Sequence, residues 1–449
     1  MLRSLIPLMV IFTLSCKTRE PLDAQSDVEA VSSSAYPNEC IKDYINWETR
    51  SNDVASRSPE SVKIKVLDIP ASLVKFDVAA YASKSVKDTL IIEKQGKTYI
   101  RWVINPEDSA WYVEVQKYLQ KKLGKDAPEP VEALTGYMTA SRSYIIVDPR
   151  TNAIFSIKTS TNSTGGAWTD KKQEWSDSLD IRAVSDYLNL LSKRMKLKYS
   201  TIFMDTLAIG IEEIDQAIVV RELGDLATCK HNYLPGFSVF HDSTRKLTGD
   251  KLQADFWRQH YAEALGRSLG EFAAISGLTF DSPHSQNFLI ELDATTHRPT
   301  GRIAIKDLGD VYVLPEQLRA QPKRMNGEEI IRRLEAAHNV FERRLIGGFG
   351  FLHGNKIPAW ISPEEYSKWG AAFFSNYEAV YSSLVGNKLA TMKATPMSDK
   401  YGSYQLKHYE LDDEWLGTLV KNSPCLRGRK GTADNKACPI EDQSRRLAE

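Results

Sequence analysis

The sequence predicts an α+β fold in which a mixed antiparallel sheet carries flanking helices. Residues 62–66 alternate between apolar and charged side chains (Val-Lys-Ile-Lys-Val), and residues 89–93 and 99–104 have the composition of further strands. Two longer segments repeat apolar residues at helical spacing. The 449 residues show no internal repeat.

The first 16 residues predict an export signal. Arg3 precedes an apolar run over residues 5–14, which is too short to span a bilayer. Residues 13–16 (Thr-Leu-Ser-Cys) resemble the bacterial lipoprotein processing box, in which the cysteine is acylated. A lipid on Cys16 would tether the chain to a membrane, and Lys17 favours the outer membrane, facing the periplasm or the cell surface. The alternative is an ordinary cleaved signal peptide that contains a cysteine.

Composition changes along the chain predict its organisation. Ser, Ala, Asp and Glu dominate residues 17–58, which is typical of a flexible tether, although Cys40 and residues 44–47 are candidates for contact with the folded body. A charged, proline-containing stretch over residues 121–132 predicts a domain boundary. The predicted segments are a lipoprotein signal peptide (1–16), a tether (17–58), an N-terminal α+β lobe (59–125), a nucleotide-binding lobe (126–250), a helical and hairpin lobe (251–420) and a cysteine-bearing tail (421–449).

Charge and cysteine content narrow the possible partners. The 58 basic and 58 acidic residues balance, which argues against a nucleic-acid or polyacidic partner. The four cysteines after Cys16 allow three disulfide connectivities in an exported protein. Pairing Cys425 with Cys438 would close a short basic loop and add about 3 kcal/mol of stability. Free buried thiols are the alternative, and no cysteine or histidine lies at metal-ligand spacing to another.

A hairpin and two helices are predicted between residues 143 and 345. Strands over 143–147 and 153–158 flank an Asp-Pro-Arg-Thr-Asn turn, which places Lys158 at a strand end. Helical spacing predicts a helix over 255–276, closed by Gly277, and another over about 327–345. A Gly-x-Ser-x-Gly sequence at 266–270 spells a nucleophile elbow, but it lies inside the first helix and lacks the preceding strand that an elbow needs.

The second hairpin brings together oxygen ligands. If strands over 288–293 and 302–305 pair symmetrically about His297, Asn287 lies opposite Asp307. Magnesium on nucleotide phosphates prefers such oxygen ligands, and Lys158 is the candidate cation for the phosphates. The alternative is a hydrogen-bond network that holds the hairpin end, with Lys158 as an exposed strand-end charge.

A family resemblance rests on these residues. His284-x-Gln286-Asn287, followed after a strand pair by a basic residue and Asp307, resembles the core of the NRPS-independent siderophore synthetases of the aerobactin synthase type. Residues 139–143 are similar to that family's Ser/Arg phosphate-binding stretch, and the Arg-Glu pair at 221–222 follows a strand as its counterpart does. The resemblance covers roughly residues 139–313 and implies a kinase-like core that adenylates a carboxylate and passes it to an amine or hydroxyl.

The resemblance also implies roles for individual residues and shows departures. Asp307 and His284 would be catalytic, although a packed histidine is the alternative for His284. Lys306 stands where the family has an arginine, a Gly-Gly-containing insertion follows Lys158, and little of the family's C-terminal half follows residue 313. The residues that would hold ATP are Ser141, Arg142, Lys158, Arg182 and Glu222. Asn287 and Asp307 would hold Mg²⁺.

Two alternative functions are therefore considered for this chain. The first is an exported, membrane-tethered protein with a Mg-nucleotide site that serves phosphoryl transfer or carboxylate adenylation. The second is a catalytically inactive binding or scaffolding lipoprotein of the envelope on the same fold, which the absence of periplasmic ATP favours.

Overall fold

The computed structural model describes residues 36–51, 57–139, 142–163, 171–194, 196–249, 251–280, 285–313, 344–346, 360–385, 393–397 and 406–410. Several predicted features lie outside these ranges. They are the export signal with Cys16, the candidate ligand Ser141, the candidate catalytic residue His284, most of the predicted helix 327–345 and the predicted Cys425–Cys438 pair.

The strands form three sheets. The largest has the order β2-β9-β10-β7-β6-β5-β1-β4-β3, the second β11-β13-β14-β8 and the third β15-β12-β16-β18-β17. The described strands are β1 Ser61–Pro70, β2 Lys75–Val78, β3 Ile91–Lys94, β4 Lys97–Val103, β5 Val131–Met138, β6 Ser143–Asp148, β7 Ala153–Lys158, β8 Ser200–Ile202, β9 Asp205–Ile211, β10 Gln216–Glu222, β11 His231–Pro235, β12 Leu278–Phe280, β13 Phe288–Asp293, β14 Pro299–Ile305, β15 Val311–Val313, β16 Arg344–Ile346, β17 Lys393–Met397 and β18 Leu406–Glu410.

The nine-stranded sheet is antiparallel throughout and confirms the predicted α+β class. It also joins segments that were predicted to lie in different lobes. Strand β1 pairs with β5, and β2 pairs with β9, across the expected boundary at residues 125 and 126. The charged stretch there ends a helix and forms a 3-10 turn instead of a linker. Residues 59–125 and 126–222 therefore share one sheet.

Helices cover these sheets and pack against one another. The most extensive contact between described helices joins Ala264–Ser276, which follows the π-helical turn Arg258–Glu263, to Pro363–Val385. The described helices are α1 Glu39–Arg50, α2 Lys84–Leu90, α3 Ala110–Leu123, α4 Trp175–Arg194, α5 Arg245–Thr248, α6 Gln253–Trp257, α7 Ala264–Ser276 and α8 Pro363–Val385.

The predicted helix 255–276 is confirmed, but the π-helical turn interrupts it before α7. Gly277 closes α7 in the left-handed conformation (φ 70°), as expected of a C-cap. A Cβ on Gly266 would lie 2.1 Å from the Phe373 carbonyl oxygen of α8, so this glycine permits close helix packing. Ser268 between the two glycines is buried in mid-helix, which excludes a nucleophile elbow there.

The second predicted helix was expected to end at about residue 345. Residues Arg344–Ile346 form strand β16, which pairs with β18, so a helix cannot extend to residue 345. None of the helices that the structure describes is long and apolar enough to cross a membrane.

Part of the predicted tether is a folded helix. Asn38 caps α1 by accepting a hydrogen bond from the Ile41 amide at 2.9 Å. The buried face of α1 carries Cys40, Ile41, Tyr44, Ile45, Trp47 and Glu48. A disulfide joins Cys40 to Cys229, beside β11. Flexibility was expected over residues 17–58 because polar residues dominate their composition, but this apolar face docks residues 39–50 on the body.

Candidate functional site

A polar cleft lies where the nine-stranded sheet meets the hairpin β13–β14. Its cavity volume is about 30 Å³, and Tyr44 of α1 lines it. Apolar side chains of α1 and both sheets, including Ile145, Phe203 and Leu289, pack beneath it in one cluster. The residues lining the cleft are Tyr44, Thr139, Ser143, Ile145, Ser156, Lys158, Phe203, Arg221, Leu223, Gln286, Asn287, Lys306 and Asp307.

Asp307 is the central anion of this cleft. The Lys158 ammonium, at the end of β7 as predicted, donates to its Oδ1 at 2.8 Å. An Arg221 nitrogen lies 3.7 Å from the same oxygen. Lys158 and Asp307 are 149 residues apart in sequence, so only the meeting of the two sheets brings them together.

Asp307 has an unusual backbone conformation and a lowered pKa. Its φ of 64° is left-handed, a conformation that Asp tolerates better than most residues, and it turns the chain out of β14 into the cleft. Burial alone would raise the pKa of the carboxyl, but Lys158, Arg221 and Arg142 hold that pKa well below its ordinary value. The carboxylate is therefore ionised at neutral pH, where it pairs with these cations.

A second carboxylate lies behind Arg221. Asp205 is buried, and its Oδ1 contacts the Arg221 guanidinium at 2.9 Å. Burial raises the pKa of Asp205 although Arg221 opposes that effect. Burial would lower the pKa of Arg221, but Asp205 first and then Asp307 raise it. Arg221 thus holds its charge between the two carboxylates and fixes the orientation of its guanidinium at the cleft.

Lys306 is held by the helix that was predicted to be tether. Its ammonium donates to the Tyr44 hydroxyl at 3.0 Å and to Glu48 Oε1 at 2.7 Å. Tyr44 in turn donates to the same Glu48 oxygen at 2.6 Å. Burial and then the Glu48 carboxylate raise the pKa of Tyr44 well above its ordinary value, so the phenol stays protonated and can donate.

The register of the β13–β14 hairpin differs by one residue from the expected one. The Asn287 carbonyl accepts from the Lys306 amide at 3.0 Å, so Asn287 faces Lys306 and not Asp307. The symmetric pairing about His297 is wrong because the turn is centred between residues 295 and 296, where Leu292 pairs with Pro299, and the register shift between Ile290 and Leu292 then pairs Ile290 with Ile303. Asn287 and Asp307 nevertheless line the same cleft.

The remaining candidate ligands lie around the cleft rather than in it. Arg142 donates to the Lys172 carbonyl at 2.5 Å and is close enough to lower the pKa of Asp307. Arg182 is fully buried on α4, where it binds Asp186 at 2.6 Å and the Asp205 carbonyl at 2.6 Å. Glu222 faces away from the cleft and accepts from the Ser83 amide at the start of α2 at 2.7 Å.

Arg221 and Tyr44 are cleft residues to which the sequence assigned no role of their own. Successive residues of a strand point to opposite faces, so Arg221 and Glu222 cannot both face the cleft. The strand signal over 216–222 therefore offered a choice between them. For Tyr44, the helical spacing of Cys40, Tyr44 and Glu48 after a capping Asn38 was the available signal.

The chemistry of the cleft fits an anion with several phosphates. Three cations, Lys158, Arg221 and Lys306, line the cleft beside the partly buried Asp307 carboxylate, and the carboxylates that pair with Arg221 and Lys306 lie buried behind them. Across the ranges that the structure describes, no group of three or more His, Cys, Asp or Glu residues could hold a metal. The Asp307 carboxylate and the Asn287 amide still fit Mg²⁺, which usually takes one or two protein oxygens together with phosphate oxygens and water.

Comparisons with known proteins identify fold neighbours. Neither a protein-family model nor a curated protein matches this chain. Aerobactin synthetase IucA from a hypervirulent pathotype of Klebsiella pneumoniae is 12% identical, with a TM-score of 0.42 over 73% of this chain and 61% of that chain. Petrobactin biosynthesis protein AsbB from Bacillus anthracis str. Sterne is 10% identical, with a TM-score of 0.48 over 85% and 77%. The proinflammatory kinase CtkA of Helicobacter pylori is 13% identical, with a TM-score of 0.24 over 62% and 89%.

The first two are named for aerobactin and petrobactin synthesis, and the third is named as a kinase. At such identities the likeness concerns the fold alone. This chain spans 61–63% of the length of the aerobactin synthetases IucA and IucC. One of the IucA structures is bound to ATP.

Proposed function

We propose that the cleft binds a nucleotide with Mg²⁺ and serves phosphoryl transfer or carboxylate adenylation. One observation carries the proposal: Asp307 is held ionised between Lys158 and Arg221 in a cleft that also contains the Asn287 amide. Fixed cations and an ionised oxygen ligand at one point are what phosphate chemistry requires.

The residues divide the work by charge. Lys158 and Arg221 would neutralise phosphate oxygens, and Arg142 lies near enough to assist them. Asn287 and Asp307 would hold Mg²⁺, which supplies further charge neutralisation when it is bound. The Lys158–Asp307 contact at 2.8 Å would open as phosphate and metal separate the two charges. Tyr44 and Phe203 also line the cleft.

Thermal unfolding of the full chain with and without Mg-ATP tests the proposal. A ligand that binds only the folded state at 100 times its Kd adds about 2.7 kcal/mol of stability. Asp307→Asn should abolish the shift, because it removes the charged metal ligand. Asp88→Asn is the matched control, since Asp88 pairs with Lys84 on the exposed side of α2. A wild-type shift that persists in Asp307→Asn would refute the assigned role of Asp307, and no wild-type shift would refute nucleotide binding.

A second function, an inactive binding or scaffolding protein, is favoured by a different observation. Asp307, Lys158, Arg221 and Asp205 already satisfy one another as a continuous ion-pair network. Such a network can hold two sheets together without any ligand. If Mg-ATP gives no shift and Asp307→Asn lowers the melting temperature, this function is the better supported one.

We also propose that the chain is exported and tethered to a membrane through acylated Cys16. The Cys40–Cys229 disulfide supports an oxidising compartment outside the cytoplasm. Metabolic labelling with a radioactive fatty acid, followed by fractionation, tests the tether. Label and membrane association should both be lost in Cys16→Ser, and a soluble, unlabelled wild-type protein would contradict the proposal.

A further inference from the structure

We infer that α1 is part of the site, and that Tyr44 and Glu48 are positioning residues that aim the Lys306 ammonium at the anion bound in the cleft. This inference rests on the proposed function for the identity of the anion. The contacts of Lys306 with Tyr44 and Glu48 do not depend on the proposed function, because they are made within the chain itself.

The first support is the placement of Lys306. Its backbone amide donates a hydrogen bond to the Asn287 carbonyl, and Asp307 is the next residue in the chain. Lys306 therefore lies between the two proposed metal ligands. Its side chain is 12% exposed and lines the cleft. Without Glu48, the nearest carboxylate along the chain is that of Asp307, for which Lys306 would then compete with Lys158.

The second support is the nature of the pair between Glu48 and Lys306. Glu48 is completely buried, and its Oε2 has no hydrogen-bond partner among the residues described. A buried ion pair adds little stability once the cost of desolvation is counted, and an incompletely bonded one adds less. Stability alone is therefore a poor reason for this arrangement, whereas fixing the direction of a cation is a good one.

The third support is the attachment of α1. The disulfide Cys40–Cys229 and the hydrogen bond from Asn38 Nδ2 to the Ala227 carbonyl, at 2.9 Å, fix the start of the helix. Asp43 adds contacts to Asn232 at 2.9 Å and to His297 at 3.1 Å. Tyr44 and Glu48 follow these attachment points on the same helix, so they can hold Lys306 in one position.

The test measures Lys306 directly in the full chain without nucleotide. An amine-reactive acetyl ester labels lysines, and mass spectrometry of peptides gives the rate at Lys306. Glu48→Gln should raise that rate about tenfold, the factor expected for loss of one hydrogen bond to a charged group. Glu39→Gln is the matched control, because it removes the exposed partner of Lys42 on the same helix and should leave Lys306 protected. Tyr44→Phe, and the double variant Cys40→Ser/Cys229→Ser, should also expose Lys306 and serve if Glu48→Gln does not fold.

Calorimetric titration of Mg-ATP forms the second arm. Glu48→Gln should weaken binding about tenfold, and adding Lys306→Gln to it should change little, because the two residues act as one unit. Equal labelling of Lys306 in Glu48→Gln and Glu39→Gln would overturn the inference. So would unchanged Mg-ATP affinity in a Glu48→Gln protein whose wild type binds. Increased labelling together with no wild-type binding would refute the nucleotide proposal and leave the positioning of Lys306 supported.

Discussion

Removing the Cys40–Cys229 disulfide should destabilise the protein strongly. The bridge joins residues 189 apart in sequence. The loop-closure relation gives about 5 kcal/mol for a loop of that length, which is an upper value because unfolded chains retain structure. Cys40→Ser/Cys229→Ser should therefore unfold at a much lower urea concentration than the oxidised wild type. Unfolding followed by tryptophan fluorescence measures the difference, and Trp47 on α1 lies in the main apolar core.

A reductant tests the contribution of disulfides to the stability of the wild type without any substitution. Reduction should lower the urea midpoint of the wild type towards that of the double serine variant. Cys425→Ser/Cys438→Ser is measured beside it, and a loss of about 3 kcal/mol in that variant would support the pairing predicted for the tail. A loss of less than about 1 kcal/mol in Cys40→Ser/Cys229→Ser would refute the loop-closure reasoning. Such a result would mean that the contacts of α1 alone hold residues 39–50 on the body.

Two further predictions concern packing and pH. Gly266→Ala should lower the free energy of unfolding by about 1–3 kcal/mol, because its Cβ would meet the Phe373 carbonyl at 2.1 Å, whereas Gly370→Ala on α8 meets nothing within 4 Å and should be neutral or stabilising. Urea unfolding checks both, and equal losses would contradict the assigned helix contact. Lys158→Met should cost stability mostly above about pH 4, because the depressed pKa of Asp307 makes its contribution present there and lost as pH falls further. Urea titrations at several pH values measure the difference, and a loss that does not depend on pH would show that the ion pair is not its source.

Local patterns predicted the local geometry well. The hairpin β6–β7 follows from two alternating segments around Asp-Pro-Arg-Thr-Asn, and Asn152 takes the left-handed conformation that closes it (φ 55°). Lys158 at the strand end follows directly from that hairpin. Helix α7 follows from its apolar spacing, and buried side chains occupy almost its whole length.

Long-range geometry could not be predicted in the same way. The partner of Cys40 lies 189 residues away, and four cysteines allow three pairings. The one-residue offset of Asn287 arises from the position of the turn together with a register shift inside the hairpin, and alternation of residues reveals neither. The division of roles between Arg221 and Glu222 depends on which face of β10 meets the cleft, and that depends on β14 and Asp307.

The order of strands in the large sheet has a consequence for how the chain is made. Strand β2 pairs with β9, and these strands are separated by roughly 130 residues, which a ribosome adds in about 6–26 s. During that interval β2 has no partner in the sheet, so the sheet cannot be completed while its first strands emerge. Lys158 and Arg221 also reach their final positions only after β14 delivers Asp307. The cleft therefore cannot be completed before residue 307 has been added, and a chain interrupted before that residue contains its cations without their central anion.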